Sequence, residues 1–397
     1  MIDAGSRRTA HRGWLGELAK ARTASDLRRR VLEHHPAFDP ATLRRIAILG
    51  AAGEGQRLAI LCRRRGIEVA AIADDDPARV GACVLDCLVM PTAALVEVGQ
   101  SVPVVVASHR VLGAVEKLRR LGVRDVAPIA VLQVLAPDEF PPHMFYDRLL
   151  DETVEHRDRL RWLEEQLADD KSRRVLDAVL GFRQTLDASL LAPIVEYDLY
   201  QPADLIRYGS DEIYVDGGSY DGDTVRLFIE RVGGRFAQVY AFEPDPCTFA
   251  ALRRNFADEP RVRPINAGLS SRSGRLRFRD DGSRGAIFAE DGGIDMTVTT
   301  IDDVVGEGRV TFIKMNIEGA EIDALHGARR TIRRCLPKLA ISAYHRPSDL
   351  WRIAEIIRDI SDRYGLFLRQ HDGGVIETVL YALPPERRNA TDVVTAR

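Results

Sequence analysis

The sequence predicts an α/β protein made of two parallel-sheet halves joined by a helical connector. Three observations carry this reading. Short apolar runs alternate with helical periodicities before residue 140 and again after residue 196. Strands that alternate with helices imply parallel sheets with crossover helices. A charged, proline-free stretch, Asp147–Leu191, separates the two regions, and each region opens with a strand that runs straight into a glycine-rich turn. At 397 residues the chain has room for two or three domains.

In chain order, residues 1–43 read as a helical lead-in with weak periodicity around Trp14–Leu18 and Leu27–Leu32, ended by Pro36 and Pro40. Residues 44–140 form the first α/β half. Its strand-like runs are Arg45–Leu49, Ile67–Ala73, Val102–Ala107 and Val126–Ile129, with helices over Gln56–Arg65 and Val111–Leu121. Residues 141–195 are the connector, in which Leu149, Leu150, Val154, Leu160, Leu163 and Leu167 fall at helical spacing over one or two helices. Residues 196–384 form the second half, with strands at Ile213–Val215, Val239–Phe242, Val262–Ile265, Thr311–Met315 and Leu339–Ala343 and a late hairpin of Gly365–Arg369 with Glu377–Ala382. Residues 385–397 read as a polar, frayed tail.

Composition narrows the class. Lys and Arg total 56 against 59 Asp and Glu, a net charge of −3, so there is no global attraction to nucleic acid. The longest apolar runs, such as Val102–Ala107, fall far short of the ~20 residues that cross a bilayer. The N-terminus lacks an apolar leader stretch. Five cysteines with no CxxC pair argue against a disulfide framework or zinc site and make a reducing cytoplasm the simplest home. His34, His35 and His143 lack partners at metal-ligand spacing, so no metal is expected. No G-x-S-x-G, HExxH or Walker motif occurs, which leaves hydrolase and NTPase readings without support.

The strongest chemical signal is YVDGGSYDGDT, Tyr214–Thr224: an apolar strand, the acid Asp216, Gly217, Gly218 and Ser219, then Gly222 and Thr224 opening a helix. Glycines there let the backbone approach a ligand closely. A second strand, Val239–Phe242, ends in Glu243 and Pro244 about 25 residues on, where a carboxylate accepts hydrogen bonds from ribose hydroxyls. Pro244 is read as the start of the next helix. A third strand runs through FIKMNIEGAE, bringing Asn316, Glu318 and Glu321 to the same carboxyl edge.

With AFEPDP and LAISAYHRPSDLW, these strings resemble the FkbM family of S-adenosylmethionine-dependent methyltransferases over roughly Tyr197–Leu383. The resemblance implies a class I methyltransferase fold: a Rossmann-like, largely parallel seven-stranded sheet with an antiparallel strand near one edge. It implies S-adenosyl-L-methionine bound at Asp216–Gly222, Glu243 on the ribose and Asn266 near the adenine, and O-methylation of a sugar, glycoconjugate or related metabolite. The family usually has Asp where this chain has Asn316, which cannot take a proton. A catalytically impaired cofactor-binding protein is therefore one alternative. His345, at the end of the fifth strand, is the base candidate because a histidine titrates near neutrality, with Glu318 next in line. Ser348 is expected to cap the helix that follows.

In the first half, Gly50, Gly53 and Gly55 follow a strand and open a helix, with Asp74 about 20 residues on, but the order is GxxGxG. The run GIEVAAIADDDPARVG resembles nucleotide-sugar-binding domains of bacterial sugar acyltransferases. A nucleotide or nucleotide-sugar ligand, a ligand-free scaffold or an oligomerisation module (a homodimer) are the readings of this half. A nucleotide-sugar-modifying enzyme centred on it is the second alternative function.

Overall fold

A computed structural model describes residues 13–280, 286–288 and 293–385. The readings of the extreme N-terminus and of the tail beyond residue 385 fall outside this set. The described residues form two compact units. One lies within Met1–Glu165, Arg173–Val195 and Asp372–Ile376, the other within Gln166–Ser172, Glu196–His371 and Glu377–Arg397.

The first unit carries strands β1 (Arg45–Leu49), β2 (Glu68–Asp74), β3 (Cys83–Val84), β4 (Cys87–Pro91), β5 (Val104–Val106) and β6 (Val126–Pro128). They form one sheet in the order β3-β4-β2-β1-β5-β6, parallel except for the β3–β4 pair. The sequence reading expected four strands, and the additional two are this hairpin. Its turn is Leu85-Asp86, with Leu85 at φ 53°. Left-handed turn positions usually announce themselves as Gly or Asn, so a leucine there conceals the hairpin. The lead-in forms two helices, Trp14–Leu18 and Ala24–His34, which bury Leu15, Leu18, Leu27 and Val31. The connector contains three helices, Leu149–Glu155, Arg157–Gln166 and Asp170–Thr185.

The second unit carries β7 (Ile213–Gly217), β8 (Gln238–Phe242), β9 (Val262–Ile265), β10 (Gly268–Leu269), β11 (Gly274–Asp280), β12 (Ala286–Phe288), β13 (Ile294–Thr299), β14 (Phe312–Met315), β15 (Lys338–Ser342), β16 (Gly365–Gln370) and β17 (Thr378–Leu383). Seven of these form the main sheet, ordered β16-β17-β15-β14-β7-β8-β9. Only β17 runs against its neighbours, as expected. A four-stranded sheet, β10-β13-β11-β12, was not anticipated. Its signal was available as the strict alternation of Arg275, Leu276 and Arg277, with Met296 and Val298 buried on the partner strand.

The core beneath the main sheet is aromatic. Tyr214 stacks on Phe312 at 5.0 Å between centroids, and Phe228 lies 4.6 Å from Tyr214. Such pairs add ~0.5–1.5 kcal/mol each beyond area burial. Arg369 is 1% exposed and donates to Asp169 and Asp204, each at 2.8 Å, which ties the Gln166–Ser172 segment to the second unit. The strand order reverses between β7 and β14. Ligands of open α/β sheets bind at the carboxyl edge of such a reversal.

Candidate active site

At that edge β7 ends in Asp216 and Gly217, and the chain turns sharply. Gly218 sits at φ 74°, and a Cβ on it would lie 1.9 Å from the Asn316 carbonyl oxygen. Only glycine fits there, and the loop backbone is left bare on its outer side. The amides of Gly218 and Ser219 both donate to the Phe242 carbonyl, at 3.1 and 2.9 Å. The loop is thereby fastened to the end of β8.

A buried cation holds the loop from below. Lys314, in the middle of β14, is 1% exposed, and its ammonium lies 2.8 Å from Asp216 Oδ1. It also donates to the carbonyls of Gly217 and Gly218, at 3.1 and 2.9 Å. Asp216 Oδ2 accepts from the Thr224 hydroxyl. Asp216 is 0% exposed, and with Thr224 it sets the shape of the loop. Lys314 was not singled out from the sequence. A charged residue inside the otherwise apolar strand FIKM was the available sign that a buried partner must exist.

Glu243 stands at the carboxyl end of β8, facing the loop. Its Oε2 accepts from the Tyr220 amide at 3.0 Å and its Oε1 from the Asp245 amide at 2.9 Å. Burial dominates its ionisation and pushes its pKa up to about 7, against the lowering effect of those two amides. The helix that follows begins at Pro246, not at Pro244 as the sequence reading had it. Asp245 is its N-cap and accepts from the Thr248 amide at 2.7 Å, which places Pro246 at the first helical position. Asn266 donates to the Glu243 and Pro244 carbonyls, at 2.9 and 3.1 Å. It fixes the loop that carries Glu243.

The other bank of the edge is the turn after β14. The Asn316 backbone N–H donates to the Gly217 carbonyl at 3.1 Å, and its side-chain Oδ1 accepts from the Tyr344 hydroxyl at 3.3 Å. Glu318 follows with φ 54°. Glu321 Oε1 accepts from the Ile317 amide at 2.7 Å and faces His345 Nδ1 at 3.0 Å. His345 Nε2 lies 3.6 Å from Glu318 Oε2.

His345 departs from its sequence reading. It is 0% exposed, and although burial opposes its charge, Glu321, Glu318 and Asp349 together hold its pKa up to about 9. It is therefore an imidazolium near neutrality and cannot accept a proton there. Burial also pushes Asp349 up to about 7. Glu321, His345 and Asp349 bring one ligand-type atom each within 4.8 Å of one another, a grouping that the sequence reading, which expected no metal, did not foresee. Their charges already answer one another. Ser348 makes no side-chain cap on the Asp349–Ile360 helix. Asp349 instead accepts from the Arg346 amide at 2.8 Å, closing the turn. Glu318 keeps a side chain that is 34% exposed and is the accessible carboxylate of this bank.

The arrangement suits S-adenosylmethionine. The glycine turn lets a ligand approach the backbone closely, and a carboxylate with lone pairs to spare stands at the end of the second strand, where ribose-binding acids of such sheets lie. The second glycine loop, at Gly50–Gly55, lies in the other unit.

Residues 216–368 match the model of the FkbM methyltransferase domain. The chain is similar to the 2-O-methyltransferase NoeI of Sinorhizobium fredii, 25% identical over 198 residues, covering 44% of this chain and 77% of that protein. It is also similar to the hexuronic acid methyltransferase AglP of Haloferax volcanii, 35% identical over 105 residues, covering 24% of this chain and 44% of that protein. Among solved structures it is similar to the methyltransferase FkbM of Methylobacillus flagellatus, with a TM-score of 0.69 and 26% identity over 93% of this chain and 97% of that one. Domain match, strand order and full-length likeness agree: residues 216–368 carry an FkbM methyltransferase domain, and the chain is a methyltransferase whose cofactor is S-adenosylmethionine.

Proposed function

We propose that the chain methylates a hydroxyl of a sugar, glycoconjugate or related metabolite. The observation that carries this reading is the accessible Glu318 carboxylate beside Asn316, across the edge from the glycine loop. Support also comes from AglP, whose name gives hexuronic acid as its acceptor, and from NoeI, whose name gives an O-methyl position.

When bound, S-adenosylmethionine supplies an electrophilic methyl group on a sulfonium. The chain's residues do the rest. The Gly217–Gly222 turn and Glu243 hold the cofactor, and Asn266 and Pro244 keep Glu243 in place. Direct displacement needs the acceptor oxygen ~3–3.5 Å from the methyl carbon and in line with the bond that breaks. Asn316 orients the acceptor through its amide and takes no proton. Glu318 accepts the hydroxyl proton, and the His345 imidazolium positions its carboxylate.

The test is turnover on a panel of hexuronic acids and neutral sugars, read as the gain of one CH2 in product mass. Glu318→Gln is expected to lose ~10²–10⁴-fold in kcat, the usual contribution of a positioned base, with affinity for S-adenosylhomocysteine unchanged. Because His345 keeps its proton up to about 9, kcat at saturating cofactor should show no histidine-like rise near neutrality. A parent-like Glu318→Gln enzyme, or a panel on which the parent is inert while it methylates an amine or carbon acceptor, would refute the reading.

A further inference from the structure

The first unit carries a second glycine loop at a sheet edge, outside the site described above. Strand β1 runs into Gly50, and the helix Gly53–Arg64 begins at once, with an N-cap, Ala52, that offers no side-chain hydrogen bond. A Cβ on Gly55 would lie 1.8 Å from the Gly50 carbonyl oxygen, so loop and helix close at a distance only glycine allows. Asp74 ends β2 and is 8% exposed; its Oδ2 accepts from the Ala51 amide at 2.7 Å and its Oδ1 from the Asp76 amide at 2.9 Å.

Beside Asp74 opens a cleft of ≈ 660 Å³ with Pro77, Val80, Pro91 and Leu121 as apolar walls and Lys117 at its border. Pockets for small ligands run ~300–1,000 Å³ and are mostly apolar with a few convergent polar groups. On the far side of the loop the strand order reverses between β1 and β5. There the Tyr146 hydroxyl, in a side chain 2% exposed, has no hydrogen-bond partner among the described residues, and neither has the buried Glu54 Oε2. His109, just beyond β5, has its ring 6.1 Å from that of Tyr146. Buried polar atoms without partners are costly, and a polar ligand would satisfy them.

We propose that this edge binds a nucleoside diphosphate. The base enters the apolar cleft, and the ribose diol bonds to Asp74, as an acid at the end of the second strand does. The diphosphate lies on the opening amides of the Gly53–Arg64 helix, where anions are favoured. The group carried on the last phosphate meets Tyr146 and Glu54. The acids nearby do not forbid an anion, because each faces a cation. Lys117 lies 2.5 Å from Asp75, Arg79 lies 3.6 and 3.5 Å from Asp74 and Asp76, and Arg57 lies 3.3 Å from Glu54.

The experiment is calorimetry of the full chain with ADP, GDP, UDP and CDP, in the absence and presence of saturating S-adenosylhomocysteine. At least one diphosphate is expected to bind at micromolar concentration, and S-adenosylhomocysteine should not displace it. Ala93→Trp fills the cleft from an exposed position, so folding is spared, and it should weaken binding at least tenfold. Tyr146→Phe should lower affinity for a sugar-bearing diphosphate and leave that of the plain diphosphate alone. Glu243→Ala should leave nucleotide binding unchanged. No heat with any of the four diphosphates, binding that Ala93→Trp leaves intact, or binding that S-adenosylhomocysteine abolishes would overturn the proposal.

Discussion

The two glycine loops of this chain share a frame and differ in what lies beneath them. Both follow the strand at which the sheet order reverses, and both face an acid at the end of the next strand. In each the acid accepts a loop amide, Ala51 to Asp74 at 2.7 Å and Tyr220 to Glu243 at 3.0 Å. The floor differs. Under the second loop Lys314 and Asp216, paired in register across β14 and β7, bury two opposite charges. Strand β1 under the first loop reads RIAIL, with no ionisable residue between Ile46 and Leu49. A frame that can hold a nucleotide is thus common to both, and the charged floor that fixes loop shape to high precision belongs to the methyltransferase site alone.

The largest effect should come from breaking that floor. Lys314→Met leaves the Asp216 charge buried and unpaired, and loss of one partner of a buried pair costs ~3–5 kcal/mol. Denaturant unfolding should show a loss of that size, and adding Asp216→Asn should recover part of it. A change below ~1 kcal/mol would mean that the pair does not organise the loop.

A smaller effect should come from Thr224→Val, which removes one hydrogen bond to the same buried carboxylate and should cost ~1.5–3 kcal/mol. The matched change under the first loop has no equivalent, since Asp74 is served by backbone amides.

The pH dependence of cofactor binding sharpens the comparison further. Burial leaves Glu243 protonated in the free protein up to about 7. Ribose hydroxyls are accepted best by the ionised carboxylate, so binding releases a proton, and affinity rises with pH through that value and levels off above it. Between pH 6 and 8 the gain should be roughly tenfold, and Glu243→Gln should flatten the profile. A parent profile that falls with pH would contradict the sign.

The order and type of the main-sheet strands were legible because each is a short apolar run closed by a turn. The β3–β4 hairpin was not, because Leu85 occupies a position at which a Gly or Asn would have signalled a turn. Glu243 was legible from its place after a strand. Its raised pKa was not, because that depends on how deeply the loop buries it, against the opposing pull of the Tyr220 and Asp245 amides. His345 illustrates the same limit: its position at the sheet edge could be read, but its charge is set by Glu318 and Glu321 on a different turn. Lys314 was visible as a charge in an apolar strand, yet its partner follows only from the register of β14 on β7. The start of the helix after β8 was misplaced because two prolines flank Asp245, and only the Thr248 amide shows which one is first in the helix.

The most direct measurement compares the two loops in one titration. S-adenosylhomocysteine should bind the full chain with one site. Glu243→Ala should weaken it tenfold or more, because hydrogen bonds to a charged group contribute ~1.5–3 kcal/mol each, and Asp74→Ala should leave it unchanged. Loss of affinity in Asp74→Ala with Glu243→Ala unaffected would place the cofactor in the wrong half of the molecule and contradict the assignment.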